Sequence, residues 1–393
     1  MMNPKITITS EENNNLYFTL SNTPTCLANS LRRIILSEIP IIVFRVFPHA
    51  ESKVNIITNT SRFNNEIMKQ RIGCIPIHIS DSEFPINEYS VELNIINTTD
   101  NIITVTTKDL KIKNKVTDKY ISETETRNIF PSDSITNDFI TLCRLRPKLS
   151  DNLDGEHLQF IADLDIGTAK EDGMYNIVST CAYGATNDKV KAIDAWNDIN
   201  KEHQSNGLSE EEIQFEKDNW FLLEAKRYTI PNSFDFIIES IGVFTNLEIV
   251  KRGCDIMIKK CKDFIDNLKN SNDSSKSTIY NNINDYIKNL NHDKSILIEE
   301  NENSTVDNEF LVTLENQDYT LGNALVYFLY EDYFVKKNDV SFVGFRVPHP
   351  HIPNGIIRIA FNSPESASTV ISYLETSTEQ VIEVYEKILK LLN

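Results

Sequence analysis

Basic residues are in short supply. The 393-residue chain sets 39 Lys plus Arg against 57 Asp plus Glu, a formal net charge of −18, with a pI of about 4.9. Coating phosphate requires clustered Lys and Arg that release counterions, and an acidic surface repels a polyanion, so no direct contact with nucleic acid is expected. Glycine is scarce at 11 residues, and neither a G-x-x-x-x-G-K-S/T loop nor a G-x-S-x-G elbow occurs. A phosphate cradle and a serine-hydrolase site are therefore not expected. No window approaches the roughly 18 uninterrupted apolar residues of a spanning helix. The densest run, Ile34 to Phe44, is broken by Ser37, Glu38 and Pro40. Met1 to Thr7 show no basic stretch leading into an apolar one, so a soluble intracellular chain without a membrane partner is expected. Cys26, Cys74, Cys143, Cys181, Cys254 and Cys261 form no C-x-x-C pair and read as reduced thiols used as small hydrophobes. Usage of Asn, Ile and Lys is heavy, the mark of an A/T-rich genome. With 40% hydrophobic and 24% charged residues, the length suits two or three globular domains.

What the chain does have is an internal repeat. A shift of 294 positions aligns Leu16 to Ile35 with Phe310 to Leu329 without a gap. Thr19 meets Thr313, Leu20 meets Leu314, Asn22 meets Asn316, Leu27 meets Leu321, Asn29 meets Asn323 and Leu31 meets Leu325. Phe44-Arg45-Val46 before Pro48-His49 is echoed by Phe345-Arg346-Val347 before Pro348-His349. In each copy, alternation at Leu16, Phe18, Leu20 and at Phe310, Val312, Leu314 predicts a half-buried strand. An amphipathic helix follows. In the first copy Thr23 serves as cap, Pro24 opens the helix, Leu27, Leu31, Ile34 and Ile35 form the apolar stripe, and Pro40 stops it. In the second, Asp318 or Thr320 caps and Leu321, Leu325, Phe328 and Leu329 repeat the stripe. Each stripe suits ordinary core packing, and the matched pair opens a second reading, that the two faces meet across a pseudo-two-fold axis as in an isologous dimer.

Each copy closes with a long helix. One starts at Glu248 and carries Val250, Cys254, Met257, Cys261, Phe264 and Leu268; the other runs from Ser366 through Ile371, Leu374, Val381, Ile382, Tyr385, Ile388 and Leu392. Cys254 and Cys261 share an apolar face and read as core thiols, since no His or further Cys stands at ligand spacing. Asn267 to about Thr305 reads as a polar linker with a short helix near Ile279 to Leu290. A large insertion, Glu51 to Arg227, interrupts the first copy. It holds alternating strands such as Val91-Leu93-Ile95 and Ile102-Thr104-Thr106, then an acidic segment from Lys189 to Ala225. There Glu210 to Glu216 with Trp220 reads as a solvated helix whose aromatic and apolar side docks on the body.

Leu27-Ala28-Asn29-Ser30-Leu31-Arg32-Arg33-Ile34-Ile35-Leu36-Ser37-Glu38-Ile39-Pro40, Asn59-Thr60-Ser61, Arg71 to Ile77, Leu142 to Pro147 and Phe236 to Gly242 resemble, in that order, the alpha-type assembly subunit of cellular DNA-directed RNA polymerases, the eukaryotic third subunit and its archaeal counterpart. Asp318 to Asn323 and Val343 to Pro350 resemble its smaller partner, the eukaryotic eleventh subunit and the archaeal equivalent. In cells these are separate chains that dimerise; here they stand fused, as in large DNA viruses. The resemblance implies an α+β chain with two alpha-type dimerisation folds forming an intramolecular pseudo-dimer. Residues 1–50 and 228–269 would make a discontinuous first dimerisation domain, 51–227 a mostly β insert domain, 270–304 a linker and 305–393 the second dimerisation domain. Three departures stand out. Ser80 to Ser90 lacks the zinc-binding cysteines of eukaryotic relatives; Asp165 to Tyr175 erodes a Gly-x-Gly-Lys-x-His-Ala-Lys-Trp stretch, with Asp172 where His is usual; and Arg32-Arg33 is matched by Val326-Tyr327 in the second copy.

No catalytic, cofactor-binding or metal-binding residue is expected. Polymerisation needs clustered carboxylates for two magnesium ions, and Asp163 with Asp165 read as a solvated strand face. His349 and His351 lack a third ligand. The expected function is a non-catalytic assembly platform on which the two large subunits dock; the rival is a free-standing interaction protein that keeps the fold. The resemblance places Arg32 and Arg33 at the surface presented to the second-largest subunit, where the planar guanidinium fork pairs with carboxylates. Leu27, Leu31, Ile34, Ile35, Leu321, Leu325, Phe328 and Leu329 are the expected pseudo-dimer core. Expected partners are the second-largest and largest polymerase subunits and a small one, without a homo-oligomer. If the source is viral, the place is virion and host cytoplasm, with the nucleus as alternative.

Overall fold

A computed structural model describes residues 2–12, 14–148, 150, 154–269, 280–289, 295–301 and 305–392. They form an α+β fold. The chain opens with β1 (Lys5–Glu12), β2 (Asn15–Ser21), α1 (Thr25–Ser37) and β3 (Ile41–Val43). Next come β4 (Val54–Asn59), α2 (Asn65–Gly73), β5 (Tyr89–Ile96), β6 (Ile103–Thr106), β7 (Lys111–Asn114), β8 (Lys119–Tyr120), α3 (Glu123–Ile129) and β9 (Thr141–Leu145). The insertion continues through β10 (His157–Asp163), β11 (Asp165–Gly167), β12 (Val178–Asn187), α4 (Lys189–Ser205) and α5 (Glu210–Leu222). Then follow β13 (Thr229–Ser240), α6 (Asn246–Lys269), α7 (Ile283–Asn289) and β14 (Ile296–Glu300). The last elements are β15 (Glu309–Leu314), α8 (Tyr319–Leu329), β16 (Val340–Arg346), β17 (Gly355–Phe361) and α9 (Ala367–Leu392). Two compact units result: Met1–Arg32, Thr180–Glu239 and Leu297–Asn393 in one, Arg33–Ser179 and Ser240–Ile296 in the other.

The first unit holds the repeat as topology. Its sheets run β1-β2-β13-β12 and β14-β15-β17-β16. In both, the repeat strand leads into the amphipathic helix and pairs antiparallel with the strand that precedes the long closing helix. Leu16, Phe18 and Leu20, like Phe310, Val312 and Leu314, are buried, as the alternation predicts. The matched Asn22 and Asn316 both sit in the left-handed region, at φ 57° and 52°, which Asn tolerates where a branched residue would be strained. β14 is the counterpart of β1, so part of the expected linker is a sheet strand. β12 likewise joins the first copy's sheet rather than the insert.

Phe345 on β16 is packed tightly between two glycines. A Cβ added at Gly322 would stand 2.4 Å from its ring, and one added at Gly355 would do the same. Gly322→Ala is therefore expected to destabilise the chain by roughly 1–3 kcal/mol through overpacking, even though the first copy carries Ala28 at that position; a thermal or urea melt reads the loss.

The acidic segment departs from expectation. Trp220 donates from Nε1 to the Ala192 carbonyl at 3.4 Å and neighbours Trp196 and Tyr228. Those contacts use up its inward side: α5 buries no residue, and Phe215 is 64% exposed. The two helices pack mainly on each other.

The second unit is built on a five-stranded sheet, β4-β10-β5-β7-β8, with the two-stranded pairs β11-β3 and β6-β9. Val91 and Leu93 point into its core as expected, whereas on β6 Val105 is buried and Ile102, just before the strand, is 62% exposed, one residue out of the expected phase. Pairing with β9 over Ile103 to Thr106 fixes that phase. The short linker helix α7 belongs to this core: Ile283 is 1% exposed within it, with Tyr280 and Tyr286 alongside.

Candidate assembly interface

Helix α1 carries the docking candidates. Thr23, expected as its cap, donates its backbone N–H to the Asn232 carbonyl; the Pro24 carbonyl accepts from Leu27 and Ala28 at 3.1 and 3.2 Å and opens the helix. Ile34 accepts from the Glu38 N–H before Pro40 ends the run. Leu27, Ala28, Leu31, Ile34 and Ile35 are at most 1% exposed. Arg32 and Arg33 are half-buried. Nε and Nη2 of Arg32 both donate to Asn29 Oδ1, at 3.0 and 2.9 Å, which holds the guanidinium against its own helix and leaves its other donors unused by that bond.

Helix α8 repeats the pattern with different chemistry. Asp318 is the cap, its side chain accepting from the Thr320 N–H at 2.8 Å. Leu321, Leu325 and Leu329 are fully buried and Phe328 is 7% exposed. Val326 and Tyr327, the counterparts of the arginines, are half-buried as the arginines are. Within the first unit the two copies touch. Ser30 Oγ lies 2.6 Å from the Thr320 carbonyl and 2.9 Å from its own-turn Cys26 carbonyl, sharing one proton between them. The α9 residue Tyr385, fully buried, donates its hydroxyl to the Leu27 carbonyl at 2.8 Å. Lys387 donates to the Met2 carbonyl at 2.8 Å.

The second unit contains polar anchors that the sequence patterns did not single out. Lys260 on α6 is 2% exposed and Glu38 is 7% exposed; Nζ stands 2.9 and 2.6 Å from the two carboxylate oxygens. Arg45 binds Asp165, the Ile166 carbonyl at 2.7 Å and Glu171 at 3.0 Å. Tyr286 on α7 donates to Glu171 at 2.9 Å. Asp172 accepts from the Met174 N–H at 3.0 Å. The eroded 165–175 stretch is thus clamped from several sides. Ser80 to Ser90 is tied by Arg252, which donates to the Ser80 carbonyl at 2.9 Å and to Ser82 Oγ at 3.0 Å while lying over the Phe244 ring. Asn87 adds a bond to the Tyr280 carbonyl at 3.1 Å.

Asp165 is not on a solvated face: its side chain is 13% exposed, paired with Arg45 and Lys53, because the chain turns at Leu164 from β10 into β11. Asp163 stays half-exposed against Lys115. His349 accepts from the His351 N–H at 3.1 Å, a turn contact. Cys254 and Cys261 are fully buried; burial pushes the Cys261 thiol up to about 12, and Cys254 upward as well. Both stay protonated and pack as core.

Comparison with known proteins converges on one family. The model of the RNA polymerase Rpb3/Rpb11 dimerisation domain matches residues 17–261, and a second model of that domain matches residues 309–390. The chain is 28% identical over 306 residues to DNA-directed RNA polymerases I and III subunit rpac1 of Dictyostelium discoideum, covering 66% of this chain and 80% of that one. It is 23% identical over 307 residues to the human subunit RPAC1, covering 68% and 85%. To DNA-directed RNA polymerase subunit Rpo3 of Pyrococcus horikoshii it is 24% identical over 282 residues, covering 67% and 98%. The two matched regions are the two copies of the repeated sheet-and-helix topology, and the chain belongs to the Rpb3/Rpb11 dimerisation-domain family of RNA polymerase, carrying that domain twice.

Proposed function

We propose that the chain is the non-catalytic assembly platform of a DNA-directed RNA polymerase, its two dimerisation domains folded together as an intramolecular pseudo-dimer on which the two large subunits dock. The observation that carries this reading is the meeting of the two copies at Ser30 and Thr320, beside apolar stripes at Leu27, Leu31, Ile34, Ile35 and at Leu321, Leu325, Phe328, Leu329. Fully burying each such side chain contributes about 1.5–3 kcal/mol. Arg32 and Arg33 are the dock for the second-largest subunit; another surface receives the largest, and a small subunit completes the set. Neither nucleic acid nor a second copy of the chain is a direct partner. Fusion of two domains that act as separate chains elsewhere, together with the A/T-biased composition, fits a large DNA virus whose polymerase works in host cytoplasm and virion.

Cutting the chain near Ser274 tests the pseudo-dimer. Fusion raises effective concentration without adding a contact, so the halves are expected to stay associated on sizing at micromolar concentration. A cut there leaves α7 on the C-terminal piece, and Ile283 is buried in the second unit's core. The discriminating version therefore adds Ile283→Asp, which removes that anchor. Continued association of the doubly altered pair is the expected result, and separation would contradict the pseudo-dimer.

A further inference from the structure

The second copy has an acidic, concave counterpart to the first copy's arginine pair. Between α8, the π-helical turn Tyr330–Lys336 and α9 lies a cavity of about 420 Å³, lined by Tyr327, Phe328, Glu331, Gln380 and Val384 among others, within the range of about 300–1,000 Å³ usual for binding pockets. Tyr327 is the counterpart of Arg33. Two of the carboxylates lining the cavity are already engaged. Asp332 holds Lys336 at 2.6 Å, and Glu383 holds Lys387 at 2.8 Å. The Glu331 carboxylate makes no hydrogen bond or close ion pair among the described residues, although Lys336, which also lines the cavity, lies within its field. Gln380 spends its amide N–H on Asp332 at 2.6 Å, and its Oε1 is buried without a donor. The exposed, stacked rings of Tyr330 and Phe334 follow in the same turn.

We propose that this cavity is a socket for an arginine side chain presented by a partner polymerase subunit. The two copies then dock with opposite polarity: the first offers guanidinium groups and the second receives one. A guanidinium carries several donors in a planar fork and stacks on aromatic faces, which suits the Glu331 carboxylate beside the Tyr327 ring. An ammonium is a compact point charge and serves the carboxylate alone. This inference rests on the assembly reading for the identity of the partner, and the socket itself stands on the cavity.

The test uses the full chain in two arms. Nα-acetyl-arginine amide is titrated while the methyl resonances of Met2 and Val384 are followed, with Nα-acetyl-lysine amide and Nα-acetyl-glutamine amide as controls. Saturable shifts with the arginine probe, at least tenfold weaker binding of the lysine probe, no response to glutamine and at least a tenfold loss in Glu331→Gln are expected. No saturation, or unchanged binding in Glu331→Gln, overturns the socket. In the second arm Glu331→Arg is assembled with the polymerase; at least a tenfold loss of one large subunit is expected, with retention of the one that depends on Arg32 and Arg33. Normal assembly of a folded Glu331→Arg chain overturns the docking role. If the unaltered chain recruits no polymerase subunit while the probe still binds, the assembly reading fails instead.

Discussion

Replacing Arg32 and Arg33 together with Glu is expected to leave the chain folded and to abolish its recovery of the second-largest polymerase subunit. Both side chains are half-buried on α1, turned away from the fully buried stripe of Leu27, Leu31, Ile34 and Ile35. The contact that Arg32 makes with Asn29 lies within its own helix, so reversal removes no bond between elements through that pair. Surface substitutions change stability by roughly 0.5 kcal/mol or less; Arg33 is half-buried with a contact of its own, so a somewhat larger cost, still short of unfolding, is expected. Losing hydrogen-bonded charge pairs at an interface costs about 2–5 kcal/mol, which is roughly 30-fold to several-thousand-fold in affinity, and reversal adds like-charge repulsion. Val326→Glu with Tyr327→Glu is the matched control at the equivalent positions of α8. It is expected to spare this partner. Pull-down at moderate salt decides the matter: normal recovery with the arginines reversed, in a chain shown to be folded, means the dock is elsewhere.

Lys260→Ala is expected to cost about 3–5 kcal/mol of stability. The Glu38 carboxylate would keep its buried position and lose the ammonium that stands 2.6 Å away, its shortest ion-pair contact, leaving a buried charge much less well compensated. Lys170 stands 3.8 Å from Glu38 on the other side, but its side chain is 48% exposed, so solvent screens that pair. Glu38→Leu combined with Lys260→Met removes both charges while keeping the volume, and is expected to recover most of the loss. Urea midpoints of Glu38→Leu, Lys260→Met and their combination, with the unaltered chain, form a double-mutant cycle. A Lys260→Ala midpoint equal to that of the unaltered chain would mean that the pair is hydrated rather than buried.

Legibility in the sequence followed period and repetition. Leu16-Phe18-Leu20 and Phe310-Val312-Leu314 were readable because a strand's two-residue period survives in any context. The identity of Asn22 and Asn316 also carried backbone information, as both residues turn the corner from strand to helix at positive φ. The anchors were illegible for the complementary reason. Lys260 lies beside the apolar stripe of α6 and reads locally as a solvated lysine; its partner Glu38 lies 222 positions away. Arg45 was visible only as part of a repeated Phe-Arg-Val, and nothing in that echo foretold its hold on Asp165 and Glu171. The linker misled through composition. The short helix near Ile279 to Leu290 was readable, but not that its Ile283, Tyr286 and Ile287 pack on a core, nor that β14, too short to outweigh its polar surroundings, completes a sheet. The socket beside α8 arises only when three elements converge, although the missing basic pair at Val326 and Tyr327 marked the place where the copies diverge.

Whether this chain organises a polymerase rather than acting alone is read from affinity isolation of the native tagged chain from its own source, followed by stoichiometric mass spectrometry of what elutes after sizing. One copy of this chain with one copy each of the largest and second-largest RNA polymerase subunits, in a particle that extends RNA on a template, is the expected result. Elution of the chain by itself, or only with proteins unrelated to RNA polymerase, would contradict it.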